Sequence, residues 1–436
     1  MAATVLNRVI RNGSYADIVL DAALDRGTLE APDRALATEL VYGTLRWLKR
    51  LDWTIDNLYR GKSGRMPTNV RRIAEVGLYQ ILFLEKVPSY AAVNEAVEAA
   101  KEASGRYWSG VINAVLRNAI RNPDATFPNV PNDDPVSAIS IQWSHPTWLV
   151  RKWVERFGME RTVSICASNN AVPATALRIN PMRTDREGLR KALEREGIAA
   201  ADSTWLEGYL VLSRPGRATE STLFRKGLFS IQDQSAGFVT RLLDPRPGET
   251  ILDMTAAPGG KSMAIAEETR DRSTVVSADR YRKRVVQIDE NRRRLGIRRV
   301  HPVMADTVLP LVKPVDKVLL DAPCSGMGIV RRHPEIKWNR SVDRLAGLVA
   351  LQEKLLNRAA EAVKPGGVLV YSTCTVLAEE NEDAVWKFLQ SRPEFKLDPA
   401  DSYVRPEVVT GDGWIETWPD RNAMDGSFAA RMVKER

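Results

Sequence analysis

From Gly248 onward, short apolar runs alternate with amphipathic segments, and this alternation limits the possible folds more than any other feature of the chain. Thr250 to Asp253, Thr274 to Asp279, Val300 to Asp306, Val315 to Asp321 and Gly366 to Tyr371 read as strands, with a long helix from Val342 to Val363 before the last. Runs this uniformly apolar suit strands buried on both faces, so the pattern predicts an α/β, Rossmann-like domain with a mostly parallel, doubly wound sheet. Three runs lead into polar constellations: Asp253-Met-Thr-Ala-Ala-Pro-Gly-Gly-Lys-Ser262, Asp321-Ala-Pro-Cys-Ser-Gly326 and Tyr371-Ser-Thr-Cys-Thr375. Open sheets of this class bind ligands beyond the carboxyl ends of their strands, so the three should meet at one edge.

A chain of 436 residues has room for two or three domains. Residues 1–125 read as all-α, with helical periodicity clearest over Ala35 to Leu58, Val70 to Leu84, Ala91 to Ala103 and Gly110 to Ile120. Turn signals at Gly61 to Gly64, Val87 to Ser89 and Ala103 to Gly105 separate them, the pattern of a helical bundle. Prolines 123, 128, 131 and 135 mark a linker, placed at residues 126–143. Residues 144–245 read as a small α+β module, with helices over Pro146 to Phe157 and Arg186 to Glu196 and strands over Thr175 to Asn180, Tyr209 to Ser213 and Leu228 to Gln232. The sheet domain takes residues 246–436.

The formal net charge of +8 and basic clusters such as Arg280 to Arg284 and Arg292 to Arg294 are compatible with a polyanionic partner. No apolar run approaches the roughly 18 residues of a membrane span. The first ten residues lack the basic and apolar regions of a secretory signal, so no membrane association and a cytoplasmic location are expected. The cysteines, Cys166, Cys324 and Cys374, are odd in number and form no C-x-x-C pair, which points to free thiols rather than a disulfide framework or zinc site. His145, His301 and His333 match no metal-ligand spacing, and no metal is expected.

Gly259 and Gly260 allow close backbone approach, and a helix opening there presents free N–H groups to an anionic or carboxylate-bearing ligand. Gly260-Lys261-Ser262 fits the end of a P-loop, but Thr255 stands where its first glycine is required. Asp279 closes the next strand, where a carboxylate can accept from ribose hydroxyls, and Asp306 follows the third, within reach of an adenine edge. With no G-x-G-x-x-G to hold a dinucleotide, S-adenosylmethionine is the better candidate. A lone strand-end acid is usually a helix cap, but Asp253, Asp279 and Asp306 together favour a nucleoside ligand. A lone cysteine is usually an inert small hydrophobe, a reading that suits Cys166. Cys324 and Cys374 sit instead in small-residue turns at strand ends, where a thiolate can be exposed and stabilised. A thiolate beside a methyl donor suggests methylation of a pyrimidine at carbon 5, which becomes nucleophilic once sulfur adds at carbon 6. Two thiols can divide attack and release.

At these three motifs the chain resembles the Sun (Fmu) family of RNA cytosine-5 methyltransferases. Arg331 to Trp338, Glu379 to Glu382 and Asp425 to Phe428 also resemble the family pattern, and Leu40 to Arg46, Val76 to Gln80 and Gly110 to Arg117 resemble a NusB-like RNA-binding domain. The resemblance spans essentially the whole chain. It implies an S-adenosylmethionine-dependent enzyme acting on one cytosine of 16S rRNA, free or in a partly assembled small ribosomal subunit; a monomer is expected. It implies Cys374 as the nucleophile and Cys324 as the thiol assisting release. Thr255, Ala256, Ala257, Pro258, Gly259, Gly260, Lys261, Asp279, Arg284, Asp306 and Asp321 would line the cofactor and target-base pocket. The chain departs from the family at Thr255, often Cys, and Thr375, often Ser, neither of which has a stated catalytic role. The rival from another class is a non-catalytic RNA-binding assembly or antitermination factor built on the helical bundle.

Overall fold

The structure is a computed structural model, and it describes residues 1–27, 29–59, 61, 66–127, 134–213, 218–307 and 313–436. Most of the turn signal at Gly61 to Gly64, and prolines 128 and 131 of the expected linker, lie outside these residues. Contacts divide the chain into two units, residues 1–171 with 330–340, and residues 172–329 with 341–436.

The first unit is helical: α1 (Ala2–Asn12), α2 (Ala16–Leu24), α3 (Ala31–Leu58), α4 (Thr68–Phe83), α5 (Ser89–Ser104), α6 (Arg106–Arg121), α7 (Pro135–Gln142) and α8 (Thr147–Asn170). Helix α7 lies where sequence suggested linker: Pro135 starts it and the Asp134 carboxylate caps it by accepting from the Ser137 N–H. Helix α8 bends at Gly158, whose φ of 77° breaks the helical run, and it packs with this unit rather than with the strands that follow. Helices α3 and α4 approach closely because Gly43 has no side chain; a Cβ there would sit 2.0 Å from the Tyr79 ring.

Segment 330–340 completes this unit. Glu335 and Lys337 are each 1% exposed, and the Lys337 ammonium donates to the carbonyls of Arg46 and Ser144 and to Asn170 Oδ1 at 2.7, 2.9 and 3.2 Å. Trp338 Nε1 donates to the Leu45 carbonyl and Glu335 Oε1 accepts from the Ala16 N–H. Burial, then the charge of Arg46, pushes the Lys337 pKa well below the usual lysine value.

The second unit opens with an antiparallel sheet of β1 (Ala176–Ile179), β2 (Ala200–Asp202), β3 (Tyr209–Leu212) and β4 (Phe229–Ile231), ordered β2-β3-β1-β4, with α9 (Arg186–Arg195) and the one-turn α10 (Thr222–Arg225). Helix α11 (Gln234–Leu243) leads into the main sheet of β5 (Thr250–Asp253), β6 (Thr274–Asp279), β7 (Val300–Met304), β8 (Val315–Asp321), β9 (Val363–Thr373), β10 (Phe395–Leu397), β11 (Ile415–Thr417) and β12 (Ser427–Lys434). Its order is β10-β12-β9-β8-β5-β6-β7, with β11 paired to β12. The five strands from β9 to β7 are parallel, and β12 joins β9 antiparallel. Period-two alternation feeds two cores: Ile251, Leu319 and Val370 face one, with Met263 and Ile288 of α12 (Gly260–Glu268) and α13 (Arg282–Leu295). Leu252, Leu320, Leu369 and Tyr371 face the other, against Leu355 and Leu356 of helix Val342–Glu361. Covering on both faces explains the uniformly apolar runs.

Candidate active site

The chain winds outward from β5 through β6 to β7, then returns to lay β8 on the other side of β5. The crevice where the order reverses therefore opens between the ends of β5 and β8. Lys261 Nζ, in the first turn of α12, spans it to Asp321 Oδ2 at 2.5 Å. Burial opposes the lysine's charge, but the Asp321 carboxylate outweighs it and raises the Lys261 pKa. Thr255 Oγ1 donates to the Asp321 carbonyl at 2.7 Å, and Ser372 Oγ donates to Asp321 Oδ1 at 2.8 Å. Asp321 thus joins all three constellations.

The thiols follow from the same strand order. Strands β8 and β9 are parallel neighbours with Asp321 opposite Ser372, so the loops leaving them run side by side. Cys324 Sγ and Cys374 Sγ lie 3.3 Å apart, both half-buried. Gly328 permits this approach: its N–H donates to the Cys374 carbonyl, and a Cβ there would stand 2.8 Å from that oxygen and 2.0 Å from the Gly426 carbonyl. Its hydrogen bond with Cys374, then burial, then the charges of Cys374 and Glu380 push the Cys324 pKa well above the usual thiol range. Cys166 lies apart in α8, buried, its thiol pushed up to about 12 by burial.

The glycine turn has the shape a nucleoside-bearing ligand needs. Ala256 N–H donates to the Ala278 carbonyl, Ala257 and Pro258 carry the chain outward, and Gly259 reverses it with φ 98°. A Cβ on Gly259 would press on Ile288 and Met263 at 3.3 Å, and no side chain caps α12, leaving its first N–H groups to a ligand. Below the turn, Asp253 accepts from Ser262 Oγ at 2.6 Å through Oδ2, and Oδ1 has no partner among the described residues. Asp279, buried at the end of β6, accepts from the Tyr281 N–H at 2.9 Å, so one of its oxygens serves the turn into α13. Asp306 follows β7 and lies 3.7 Å from Arg280. Arg284 is exposed on α13 with its guanidinium over the Tyr281 ring, and no hydrogen bond or ion pair among the described residues joins it to the group around Asp321.

The sequence reading assigned no role to Gln352, Glu380 or Asn381, which pack beneath the thiol loops. Glu380 and Asn381 lie in the Glu379 to Glu382 segment already noted for its resemblance; Gln352, inside a helix, carries no local signal.

A parallel sheet with its crevice at this switch point, a glycine turn opening α12 and a carboxylate ending the next strand define a Rossmann-like domain of the methyltransferase class. The 16S rRNA methyltransferase RsmB/F family matches residues 240–433, the NusB family residues 1–121, and the ferredoxin-like domain of RsmF/B-like methyltransferases residues 145–219. Ribosomal RNA small subunit methyltransferase B of Pseudomonas syringae pv. tomato is 36% identical, over 99% of this chain and 96% of that protein. The protein of the same name from Vibrio cholerae is 34% identical over 100% and 96%. The solved structure of PH0851 superposes with a TM-score of 0.81 at 26% identity, covering 100% of this chain and 98% of that one. The chain belongs to the 16S rRNA methyltransferase RsmB/F family, and it is an S-adenosylmethionine-dependent rRNA methyltransferase. No helix of the described residues is long and apolar enough to cross a membrane.

Proposed function

We propose that the protein methylates carbon 5 of one cytosine in 16S rRNA through a covalent bond between Cys374 and carbon 6 of the base. The observation that carries this reading is the pair of sulfur atoms 3.3 Å apart, beside the Lys261–Asp321 bridge at the switch point. Bound S-adenosylmethionine supplies an electrophilic methyl group there. The Cys374 thiolate adds to carbon 6, and the electron pair of the 5,6 double bond moves to carbon 5, which takes the methyl group. Methyl transfer leaves the donor as S-adenosylhomocysteine; water then takes the proton on carbon 5, the C–H electron pair re-forms the 5,6 double bond, and the carbon 6–sulfur bond breaks to return Cys374 as a thiolate.

Division of labour between the sulfurs follows the family resemblance, which makes Cys374 the nucleophile. Cys324, within hydrogen-bonding distance of Cys374 at 3.3 Å, can donate to the departing thiolate. Thr255, Ala256, Ala257, Pro258, Gly259, Gly260, Lys261, Asp279 and Asp306 would hold the cofactor and Asp321 the base, with Arg284 at the rim. Attack comes from the face of the ring, which stacking hides in a duplex, so the target is an unstacked or flipped cytosine, on free RNA or a partly assembled subunit. The protein would act as a monomer.

The test is transfer of labelled methyl to unmodified 16S RNA, with covalent RNA adducts resolved on a denaturing gel. Wild type should form 5-methylcytosine, Cys374→Ala should give neither product nor adduct, and Cys324→Ala should accumulate adduct. Exchange of the two variant phenotypes would make Cys324 the nucleophile, and product from Cys374→Ala at the wild-type rate would end the covalent reading.

A further inference from the structure

The two thiol loops are held from below by two consecutive residues of the short turn between Cys374 and helix Glu382–Ser391. Glu380 is fully buried and, among the described residues, no lysine, arginine or histidine forms an ion pair with it. Its Oε1 accepts from the Ser325 N–H at 2.8 Å and from Gln352 Nε2 at 3.0 Å, and its Oε2 accepts from Ser325 Oγ. The Gln352 amide also donates to the Pro323 carbonyl at 2.9 Å. Residues 323 and 325, which flank Cys324, are thus fixed by one carboxylate, directly on one side and through Gln352 on the other.

Asn381 does the same for the second loop. Its Oδ1 accepts from Thr373 Oγ1 at 2.6 Å and its Nδ2 donates to the Thr375 carbonyl at 3.1 Å, so it grips both neighbours of Cys374. The loops meet again where Ser325 Oγ and Thr375 Oγ1 lie 2.7 Å apart. Burying a carboxylate without a cation is costly, and hydrogen bonds to N–H and O–H groups offset only part of that cost. An uncharged residue would fill the same space more cheaply, so a carboxylate here is better explained by orientation than by stability.

We infer that Glu380 and Asn381 are positioning residues that set the two thiols separately, Glu380 placing Cys324 for release and Asn381 placing Cys374 for attack. The inference rests on the covalent reading above for its kinetic form but not for its structural one. Near-attack geometry is sensitive to displacements of about 1 Å, which can change a step on the order of 100-fold. Two adjacent residues should therefore give opposite kinetic lesions.

The experiment compares wild type, Cys324→Ala, Glu380→Gln and Asn381→Asp in single-turnover methylation of 16S RNA, with adduct followed on denaturing gels. In parallel, iodoacetamide labelling of each cysteine is followed by mass spectrometry across pH. Glu380→Gln keeps the shape but puts an amide N–H where the carboxylate accepted; adduct should form near the wild-type rate and persist, as in Cys324→Ala. Asn381→Asp loses the donor to the Thr375 carbonyl; adduct formation should slow about tenfold or more without accumulation. Labelling should change at Cys324 alone in the first variant and at Cys374 alone in the second, with melting temperatures still raised by S-adenosylmethionine. Loss of attack and release in equal proportion, or labelling changes at both cysteines in both variants, would overturn the inference. If neither wild type nor Cys324→Ala forms adduct, the covalent reading falls, and the labelling pattern still decides whether each residue holds its own loop. A variant that fails to fold is replaced by Gln352→Ala for the Cys324 loop or Thr373→Val for the Cys374 loop, with the same expectations.

Discussion

Asp253 ends β5 beneath the glycine turn, one carboxylate oxygen bonded by Ser262 and the other without a partner among the described residues, and burial raises its pKa to about 7. In the unfolded chain the same group titrates near 3.8. The folded state therefore binds the extra proton between these values, and stability is lost as pH rises from about 4 through about 7. Each tenfold gain in proton affinity corresponds to about 1.4 kcal/mol, so this residue alone costs at most about 4 kcal/mol above neutrality. Asp253→Asn, which keeps an acceptor for Ser262, should melt higher than wild type at pH 8 and close to it at pH 4.5. An advantage that stays constant across thermal melts at both pH values would show that the carboxyl does not titrate in this way. At this scale the chain is legible where a residue ends an apolar run: Asp253, Asp321 and both thiol loops stand out for that reason. Gln352 and Asn381 do not, because each is defined by what it touches across the fold.

Among elements, three of the four strands of the small sheet were legible as β1, β3 and β4, but its role was the least readable, and its most informative contact lies outside it. Arg178 of β1 donates from Nε to Glu267 Oε2 at 2.7 Å and from Nη1 to the Gly260 carbonyl at 2.8 Å, so a strand of the small sheet braces both ends of α12. Removing the guanidinium would strand Glu267 in the interior, at a cost of about 3–5 kcal/mol. Arg178→Met should therefore lower the melting temperature and, by freeing Gly260, weaken S-adenosylmethionine binding measured by calorimetry. Burial already raises the Glu267 pKa, so the stability loss should shrink as pH falls and the orphaned carboxylate takes a proton. Unchanged affinity would confine Arg178 to stability. Strands β5, β6 and β8 were legible because they are apolar on both faces. Strands β10 to β12 were not: β10 and β11 have three residues each, and β12 carries Arg431, buried against Asp398 and the carbonyls of Leu242 and Leu243, in the middle of its run. A charge in that position looks like solvent exposure until its partners are known.

For the molecule as a whole, compositional shifts suggested domains that follow one another along the chain, whereas contacts place residues 330–340 with the helical unit of residues 1–171. Nothing local in Arg331 to Trp338 announces this, since its basic and aromatic residues look like a surface segment. Lys337, Glu335 and Trp338 fill positions that residues 1–171 alone leave open, including the carbonyls of Leu45, Arg46 and Ser144. A fragment of residues 1–171 should accordingly melt higher when a peptide of residues 330–340 is added, gaining about 2.7 kcal/mol of unfolding free energy at roughly 100 times its dissociation constant. Lys337→Ala in the peptide should abolish most of the shift, and a fragment indifferent to the wild-type peptide would show that its core closes unaided. The segment also imposes an order on biosynthesis. At about 5–20 residues per second, the helical unit waits roughly ten to thirty seconds on the ribosome for the part of its core encoded beyond the first thiol loop. Until then the carbonyls of Leu45, Arg46 and Ser144 wait for the donors that Trp338 and Lys337 bring.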